Sequence, residues 1–317
     1  MRKALKYLVG GLVLLVVAAL LWLQFGALPR YEVAAPELTV TADSALIAEG
    51  ARLVEMNCAH CHAPHGSRQM KGKKVVEAPA DLGTFWAPNI THHPDSRLAD
   101  YTDGELAVLI RTGVQRDGRW LPGPMPAQPL LSDRDLQAII AFLRSDHPRM
   151  APSDAVHPRS QLSLLGKFVT KVVARPVAMP TEAVPEPDTS DPLAWGYYLA
   201  AVKYDCYNCH SANFATNRPD RPELSEGYFG GGNKLIDPET GKPVFSANLT
   251  PHPEYGIGNW TLEQFSNAVR YGQRPDGRRL RLPMTPYAAM TDAEVSAIYA
   301  YLQSIPALDN QVDRGWE

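Results

Sequence analysis

The longest apolar run of the chain lies at its N-terminal end. No charged residue occurs in the 23 positions from Tyr7 to Pro29, while three basic residues precede the run and Arg30 follows it. A helix of that length is about 34 Å long, enough to cross the roughly 30 Å hydrocarbon core of a bilayer. Positive charge concentrates on the cytoplasmic side of such spans. The pattern therefore predicts that residues 1–30 form a membrane anchor, with everything after Arg30 outside the cytoplasm.

A cleaved signal peptide is the alternative for this segment. The apolar part of a signal peptide is usually about 7–15 residues long and ends at a small-x-small site. Here the run is longer and ends in Gln24-Phe25-Gly26-Ala27-Leu28-Pro29-Arg30, which favours an uncleaved anchor. Either alternative exports the bulk of the chain. No other stretch of the sequence approaches the length of a span, so we expect a single one.

Two amphipathic helices are well marked later in the chain. Ser132 is a candidate N-cap before an apolar face that repeats at i, i+3, i+4 and i+7. Thr291 and Glu294 form a candidate capping box before a second such face. Shorter helices are predicted at 45–54 and 192–202. The apolar positions are Leu136, Ile139, Ile140 and Leu143 in the first face and Val295, Ile298 and Leu302 in the second.

These helices belong to an internal repeat. From Asn89 and Asn248 onward, two segments align without a gap at a constant offset of 159 residues. Further matched pairs are Thr102 with Thr261, Arg111 with Arg270, Pro124-Met125 with Pro283-Met284, and Phe142 with Tyr301. The sequence thus predicts two copies of one all-α domain, at 42–146 and 192–308. A Pro-rich linker with a short amphipathic helix, 147–191, separates them.

Composition excludes two classes of protein. Hydrophobic residues make up 45% of the chain and charged residues 21%, so a mostly disordered protein is excluded. Lys and Arg number 31 against 34 Asp and Glu, a formal net charge of -3. The strong basic excess of a nucleic-acid-binding protein is missing, and we expect no nucleic-acid partner.

The four cysteines fall into two five-residue patterns, called pentads below. Cys58-Ala59-His60-Cys61-His62 and Cys206-Tyr207-Asn208-Cys209-His210 are both C-x-x-C-H, the attachment signal of c-type haem. Two thiols three residues apart on one turn can bond the two vinyl groups of one haem, and the next residue can reach its iron. The sequence predicts two covalently bound haem c groups, with His62 and His210 as axial iron ligands.

Two other readings of the pentads are weaker. A C-x-x-C pair is often a thioredoxin-type redox centre, but the βαβ context of that centre is missing here. Two C-x-x-C pairs can also share a zinc ion. The gap between these pairs is far longer than a compact zinc module needs, and the histidine after each pair would be unexplained.

Each haem iron needs a sixth ligand, and the repeat identifies candidates. Met125 and Met284 occupy the same repeat position, and each follows a proline shortly before the final helix. A thioether is a soft, neutral ligand that raises the reduction potential. His93 and His252 are also equivalent and would make bis-histidine haems instead, although they look like loop-ordering groups. Met290 lies nearby, but its counterpart is Leu131, so we expect it to pack in a core.

Together these motifs resemble a known family. The pentads, the run Asn248-Leu249-Thr250-Pro251-His252-Pro253 and the sequence around Met284 are similar to class I cytochrome c domains of bacterial multihaem cytochromes. Within that group they resemble the cytochrome subunits of membrane-bound alcohol and gluconate dehydrogenases. The resemblance covers about 45–145 and 192–306. It implies all-α haem domains on the periplasmic side of the bacterial inner membrane, held by a single span.

The resemblance also implies a function. Such a protein passes electrons between a membrane dehydrogenase or quinol pathway and another redox protein, and it performs no substrate chemistry itself. It can also be the cytochrome subunit of a larger oxidoreductase complex, which keeps the same chemistry and changes only the partners. A dihaem peroxidase is the enzymatic alternative. Such an enzyme needs one iron with an open or displaceable site, and the matched methionines argue against that.

Three further segments have open interpretations. Residues 160–174 place Leu165, Phe168 and Val172 at helical spacing, either as a helix packed on a haem domain or as one lying on the membrane surface. Gly230-Gly231-Gly232 is interpreted as a turn. The arginine loop, defined as Arg274, Arg278, Arg279 and Arg281, comes within ten residues before Met284. It is a candidate docking surface for an acidic redox partner, and Arg278 and its equivalent Arg119 are candidates for pairing with haem propionates.

Overall fold

The fold is helix-rich. A computed structural model describes residues 2–64, 66–123 and 125–313. Met1 of the predicted anchor and Pro124 of the matched Pro-Met pair lie outside the described residues. The α-helices are α1 (Arg2–Phe25), α2 (Ser44–Leu53), α3 (Ala59–His62), α4 (Asp103–Thr112), α5 (Asp133–Arg144), α6 (Leu164–Phe168), α7 (Pro192–Tyr197), α8 (Cys206–His210), α9 (Leu262–Tyr271) and α10 (Asp292–Ser304).

Short irregular helices and strands complete the described structure. π-Helical turns at Val54–Cys58, Val169–Val173 and Tyr198–Lys203 continue α2, α6 and α7, and 3-10 turns lie at Pro148–Met150 and Pro222–Leu224. The strands, which the all-α prediction did not include, are β1 (Lys73–Lys74), β2 (Gly83–Thr84), β3 (Trp86–Ala87), β4 (Gln161–Leu162), β5 (Lys234–Ile236) and β6 (Pro243–Phe245). They form three antiparallel pairs, β1 with β3, β2 with β4 and β5 with β6.

The N-terminal helix stands apart from the rest of the fold. α1 has 24 residues and none of its side chains is buried. Within the described residues it is the one helix long and apolar enough to cross a bilayer, with a mean hydropathy of 2.5 in its most apolar window. An apolar helix exposed all round has no protein core to explain its composition. This agrees with a membrane-inserting segment, which is either the predicted anchor or the alternative signal peptide.

The predicted helix starts are present. The Ser132 side chain accepts the Asp135 N–H at the start of α5, and Thr291 with Glu294 forms a capping box at the start of α10. The helices α4 and α9 begin with capping boxes and end at Gly113 and Gly272, which both have positive φ. A glycine accepts that conformation without strain, so each helix stops there.

The same helix crossing is found in both repeats. In the first, α2 packs on α5, and a Cβ at Gly50 would lie 1.9 Å from the Ala138 carbonyl oxygen. In the second, α7 packs on α10, and a Cβ at Gly196 would lie 2.1 Å from the Ala297 carbonyl oxygen. Ala138 and Ala297 are separated by the repeat offset. Only a residue without a side chain allows the two helices to come this close.

The hydrophobic core is continuous across both repeats. One cluster of buried side chains contains Leu53 and Phe142 from the first repeat and Leu199, Phe229 and Leu302 from the second. The connecting segment also lies against the first repeat, since β4 pairs with β2 and the backbone of residue 184 bonds to α5. The two repeats therefore pack together.

Candidate haem sites

Both pentads lie on helices. The first begins at the end of a π-helical turn and continues through α3, and α8 carries the whole second pentad. None of the four cysteines forms a disulfide. Burial raises the pKa of Cys61 to about 11 and the pKa values of Cys58, Cys206 and Cys209 to about 12. A redox-active pair needs a thiol with a lowered pKa, so the pentads do not fit the thioredoxin-type alternative.

The pentads also do not form a shared metal site. Throughout the part of the chain that the structure describes, no three His, Cys, Asp or Glu side chains group closely enough to hold a metal ion. A structural zinc site needs four such ligands. The zinc alternative therefore has no support in the structure, and each pentad has to be considered as a separate site.

The two pentad histidines are oriented in the same way. The Nδ1 atom of His62 lies 3.0 Å from the Pro88 carbonyl oxygen, and Nδ1 of His210 lies 2.8 Å from the Ala247 carbonyl oxygen. A carbonyl only accepts, so Nδ1 carries the proton and Nε2 is the basic nitrogen of each ring. This is how proteins orient a histidine that ligates a metal. Pro88 and Ala247 are separated by the repeat offset.

Burial also keeps the first of these histidines neutral. It lowers the pKa of His62, and the hydrogen bond to Pro88 opposes that effect only in part. A neutral imidazole is the form that ligates iron. The donor set of each pentad, two thiols and one oriented imidazole, therefore fits a c-type haem.

Two glycines that support the histidines were missed in the sequence. The N–H of Gly72 donates to the His62 carbonyl at 2.8 Å, and the N–H of Gly231 donates to the His210 carbonyl at 2.7 Å. Both glycines have positive φ, and a Cβ would lie 2.4 Å from a backbone atom of Ala87 or Ala247. The Gly230-Gly231-Gly232 turn thus has a specific role. The signal was available, because Gly72 and Gly231 are also 159 residues apart.

The loops that carry the candidate methionines follow the same path in both repeats. The N–H of Gln128 donates to the Ile110 carbonyl at 3.0 Å, and the N–H of Tyr287 donates to the Val269 carbonyl at 2.8 Å, again at the repeat offset. Burial, with Cys206 and Cys209 nearby, holds the pKa of Tyr287 well above its usual range. The loop after Met284 therefore lies against the second pentad.

The three methionines discussed above differ in burial. Met284 is partly buried and packs against the core, whereas Met125 is 46% exposed. Ligation by either of them stays a prediction. Met290 is 1% exposed and its counterpart Leu131 is fully buried, which confirms the expected packing role of that position.

The two histidines considered as alternative iron ligands, His93 and His252, bond to neighbouring residues in surface loops. His93 accepts a backbone N–H through Nδ1, and its Nε2 lies 3.0 Å from the Asp154 carboxylate. His252 accepts the Tyr255 N–H through Nδ1, and its Nε2 lies 3.8 Å from Asp309. Both ring nitrogens of each histidine have partners within the loops. The structure therefore favours a loop-ordering role over haem ligation.

The repeats contact each other directly beside the pentads. Asn57, the residue before the first pentad, donates through Nδ2 to the Lys203 carbonyl at 2.7 Å. The Lys203 ammonium lies 2.9 Å from Glu49 and 3.0 Å from Asp135, both in the first repeat. Lys203 comes three residues before Cys206, so these contacts hold the two pentads side by side.

The pKa of Cys209 and a cleft between the repeats also indicate that the two pentads lie close together. Burial is the main cause of the raised pKa of Cys209, and the nearby Asp205 and Cys61 add to it. Cys61 belongs to the other pentad. A cleft of about 380 Å³ opens between the repeats, with Met56 and Ala59 on one side and Tyr287 among the residues on the other. Two haems bound at the pentads would be close to each other.

The arginines proposed for haem propionates have other partners. Arg119 lies 2.6 Å from Asp117, and Arg278 lies 2.8 Å from Asp276 at the equivalent position. Arg274 also reaches Asp276, at 2.9 Å. These pairs order the two turns themselves, so the structure gives the propionate interpretation no support.

Comparison with known protein families gives a match for the first repeat. Residues 47–146 match the family model described as "Cytochrome c", so this chain contains a cytochrome c domain.

Several proteins similar to this chain are named as cytochrome subunits of dehydrogenases. A "Fructose dehydrogenase cytochrome subunit" from Gluconobacter japonicus is 39% identical over 40% of this chain and 24% of its own length. An "Alcohol dehydrogenase (quinone), cytochrome c subunit" from Gluconacetobacter polyoxogenes is 29% identical over 84% of this chain and 58% of its length. A "Gluconate 2-dehydrogenase cytochrome c subunit" from Pantoea cypripedii is 27% identical over 84% and 61%. The chain spans less than two thirds of the length of these relatives.

Proposed function

We propose that this chain is a membrane-anchored dihaem c-type cytochrome that transfers electrons. One haem is attached through Cys58 and Cys61 and the other through Cys206 and Cys209. Their irons are ligated by His62 with Met125 and by His210 with Met284. Residues 42–146 and 192–308 are the two haem domains, 147–191 is the linker, and 1–30 is the anchor.

One observation supports this proposal above all others. Each repeat fixes the Nδ1 atom of its pentad histidine on a backbone carbonyl, and the two carbonyls belong to equivalent residues, Pro88 and Ala247. A histidine bonded in this way presents Nε2 toward a metal. Because both repeats have the arrangement, the function should involve two equivalent haems and not one.

The residues of the chain have distinct roles in this mechanism. A bound c-type haem supplies one-electron cycling between ferrous and ferric iron. The cysteines hold it covalently, and the carbonyl contacts keep His62 and His210 in one tautomer and orientation. Met125 and Met284 would hold the iron through a thioether, which would favour the ferrous form. Two protein ligands at each iron would suit electron transfer and argue against the peroxidase alternative, which needs an open site.

The partners belong to the proposal as well. Similarity to cytochrome subunits of alcohol, gluconate and fructose dehydrogenases supports electron exchange with a membrane dehydrogenase or quinol pathway, followed by transfer to another redox protein. It also supports a place as an electron-transfer subunit of a larger complex, without catalytic work of its own. The chain is anchored in the bacterial inner membrane by one span, and its haem domains lie on the periplasmic side.

The intact mass of acid-denatured protein tests the haem count. Thioether bonds survive denaturation, so the full chain should exceed its polypeptide mass by two haems. The variant Cys58→Ala/Cys61→Ala should keep one haem, and the matched variant Cys206→Ala/Cys209→Ala should keep the other. A wild-type mass with one haem or none contradicts the proposal. Fast turnover of peroxide with an external electron donor would favour the peroxidase instead.

A further inference from the structure

The segment between the repeats presents an apolar face to the outside. It consists of α6 and the π-helical turn after it, residues 164–173, and is called the 164–173 segment below. Five of its apolar side chains are between 38% and 63% exposed, namely Leu164, Leu165, Phe168, Val172 and Val173. On its other side, Gly166 and Thr170 are buried. The segment is amphipathic, and no other part of the described chain buries its apolar side.

The orientation of this segment is fixed by the first repeat. A Cβ at Gly166 would lie 2.0 Å from the Leu82 carbonyl oxygen, so the helix lies directly on that backbone. The Leu82 carbonyl accepts the Ser163 N–H at 3.0 Å, and the Ser163 side chain caps α6 by accepting the Gly166 N–H. The segment cannot turn its apolar face inward without losing these contacts. The exposure is therefore a property of the packed fold.

The same segment binds the end of the membrane anchor. The Lys171 ammonium donates to the carbonyls of Trp22 at 2.7 Å, Leu23 at 3.1 Å and Gly26 at 2.7 Å, and it lies 4.8 Å from the centre of the Trp22 ring. Lys167 donates to the Gln24 carbonyl at 2.8 Å. The last carbonyls of a helix lack intrahelical partners and carry its negative pole. Two lysines of the segment thus cap the C-terminal end of α1.

The chain leaving the anchor is held by the first repeat too. The N–H of Tyr31 donates to the Gly118 carbonyl at 2.9 Å, and the Arg30 side chain donates to the Asp117 carbonyl at 2.7 Å. The chain at the end of α1 is thus attached both to the 164–173 segment and to the turn at Asp117 and Gly118 in the first repeat. Where α1 leaves a bilayer, the 164–173 segment must lie at the level of the headgroups.

We propose that the 164–173 segment docks on the lipid bilayer. Its apolar face enters the boundary between headgroups and acyl chains in the outer leaflet, while Lys167 and Lys171 stay with the anchor end. Interfacial helices bind membranes with such an apolar face flanked by basic residues, and long lysine side chains are suited to this depth. This inference rests on the anchored topology in the proposed function and is independent of the haem chemistry. It holds the first repeat against the membrane.

Photolabelling from the lipid side tests the docking. The full-length holoprotein is reconstituted in liposomes of phosphatidylcholine that carries a diazirine on its acyl chain, and labelled peptides are mapped by mass spectrometry. We expect labels in α1 and in the 164–173 segment. The control position is Leu224, a leucine of the second repeat that is 54% exposed and should stay unlabelled.

A triple variant makes the test specific. Leu165→Gln/Phe168→Gln/Val172→Gln changes only exposed side chains, so the haem absorption spectrum should be unchanged while labelling of the segment is lost and labelling of α1 is kept. Labels confined to α1 in the wild type would overturn the docking and leave the anchor standing. Labels in neither segment would overturn both. Protection of the segment by a co-purified protein, in place of lipid, would also overturn it.

Discussion

The Lys203 ammonium of the second repeat lies 3.0 Å from the Asp135 carboxylate of the first, and both side chains are buried. Glu49 lies 2.9 Å from the same ammonium. The Tyr198 hydroxyl donates to the second oxygen of Asp135 at 2.6 Å. Burying an ammonium is costly unless carboxylates compensate its charge, and here both carboxylates come from the other repeat. The two repeats therefore depend on each other for charge compensation.

Removing the Lys203 ammonium should destabilise the packing of the two repeats against each other. Lys203→Met leaves Asp135 buried without its cation, and breaking a buried pair in this way costs about 3–5 kcal/mol. We expect a loss of that order in the free energy of unfolding, measured by chemical denaturation of the full-length holoprotein. Lys234→Met is the control, since Lys234 is exposed on β5. Equal stability of the two variants would show that the buried pair contributes little.

A second ion pair across the interface joins the half-buried Arg52 to the buried carboxylate of Glu294 and predicts acid sensitivity. Burial alone would raise the pKa of Glu294, but hydrogen bonds from Arg52, the Thr291 N–H and Tyr204 hold it at about 2. A carboxyl with a depressed folded pKa stabilises above its unfolded pKa of about 4.5, and that contribution is lost as the pH falls toward the folded value. The contribution of Glu294 is on the order of 3 kcal/mol.

The pH dependence of the free energy of unfolding tests whether stability falls with pH in this way. Between pH 5 and pH 2, the wild type should lose stability more steeply than Glu294→Gln, which has no proton to take up at that position. Glu263→Gln, at an exposed position of α9, should keep the wild-type slope. Parallel curves for the wild type and Glu294→Gln would mean that this carboxyl titrates equally in the folded and unfolded states.

Local patterns in the sequence predicted much of this structure, and the reason is physical. Caps such as Ser132 and Thr291 act on their own helix, and the C-x-x-C-H spacing acts within one or two turns, so both can be seen in a short stretch. Lys203 and Asp135 are 68 residues apart and belong to no motif. Their pairing depends on how the two repeats pack against each other. The spacing of apolar residues along the chain carries no information about that packing.

The upstream half of the repeat was not predicted from the sequence, for a related reason. The N–H of Ile90 donates to the Met70 carbonyl, and the N–H of Leu249 donates to the Phe229 carbonyl, at the same offset of 159 residues. These are backbone contacts, so the side chains at Met70 and Phe229 are free to differ. Comparing residue types gives a continuous alignment only from Asn89 onward, with Gly72 and Gly231 as an isolated match upstream, although the shared structure begins earlier.

The close helix crossings predict that replacing either crossing glycine by alanine destabilises the fold. In Gly196→Ala, the new methyl group would lie 2.1 Å from the Ala297 carbonyl oxygen, and a backbone atom of a packed helix cannot move away easily. Overpacking of this kind costs about 1–3 kcal/mol. We expect a lower midpoint of thermal unfolding for Gly196→Ala and Gly50→Ala. Gly11→Ala is the control, because a Cβ there meets nothing within 4 Å. A control that is as destabilised as the other two would contradict the packing argument.

Replacing the candidate sixth ligands should change the reduction potentials. Met284→His leaves Cys206 and Cys209 in place, so the haem should stay attached, while an imidazole ligand stabilises ferric iron better than a thioether does. Spectroelectrochemical titration should show a lower potential for one haem in Met284→His and for the other in Met125→His. Met290→Leu, a change in the core, should leave both potentials unaltered. Unchanged potentials in Met284→His would show that Met284 is not a ligand.

The arginine loop is the proposed entry or exit point for electrons. Arg274 and Arg278 are paired with Asp276, and Arg279 and Arg281 continue the same basic stretch toward Met284. Arg279 is exposed, and Met284 is bonded through its N–H to the Arg281 carbonyl at 3.0 Å, so the loop adjoins the second candidate haem site. Positive charge there would attract an acidic redox partner and speed its association.

Charge reversal in this loop should therefore slow electron transfer without changing the haems. In Arg279→Glu/Arg281→Glu, the bimolecular rate with an acidic partner protein should fall at low ionic strength and lose its salt dependence, because the steering charge is gone. Arg218→Glu/Arg221→Glu makes the same change in net charge elsewhere on the second repeat and should keep the wild-type salt slope. If the loop variant keeps the wild-type rate and slope with unaltered potentials, docking does not use this loop. The basic stretch Lys71–Lys74 of the first repeat then becomes the surface to test, since Gly72 within it donates its N–H to the His62 carbonyl of the first pentad.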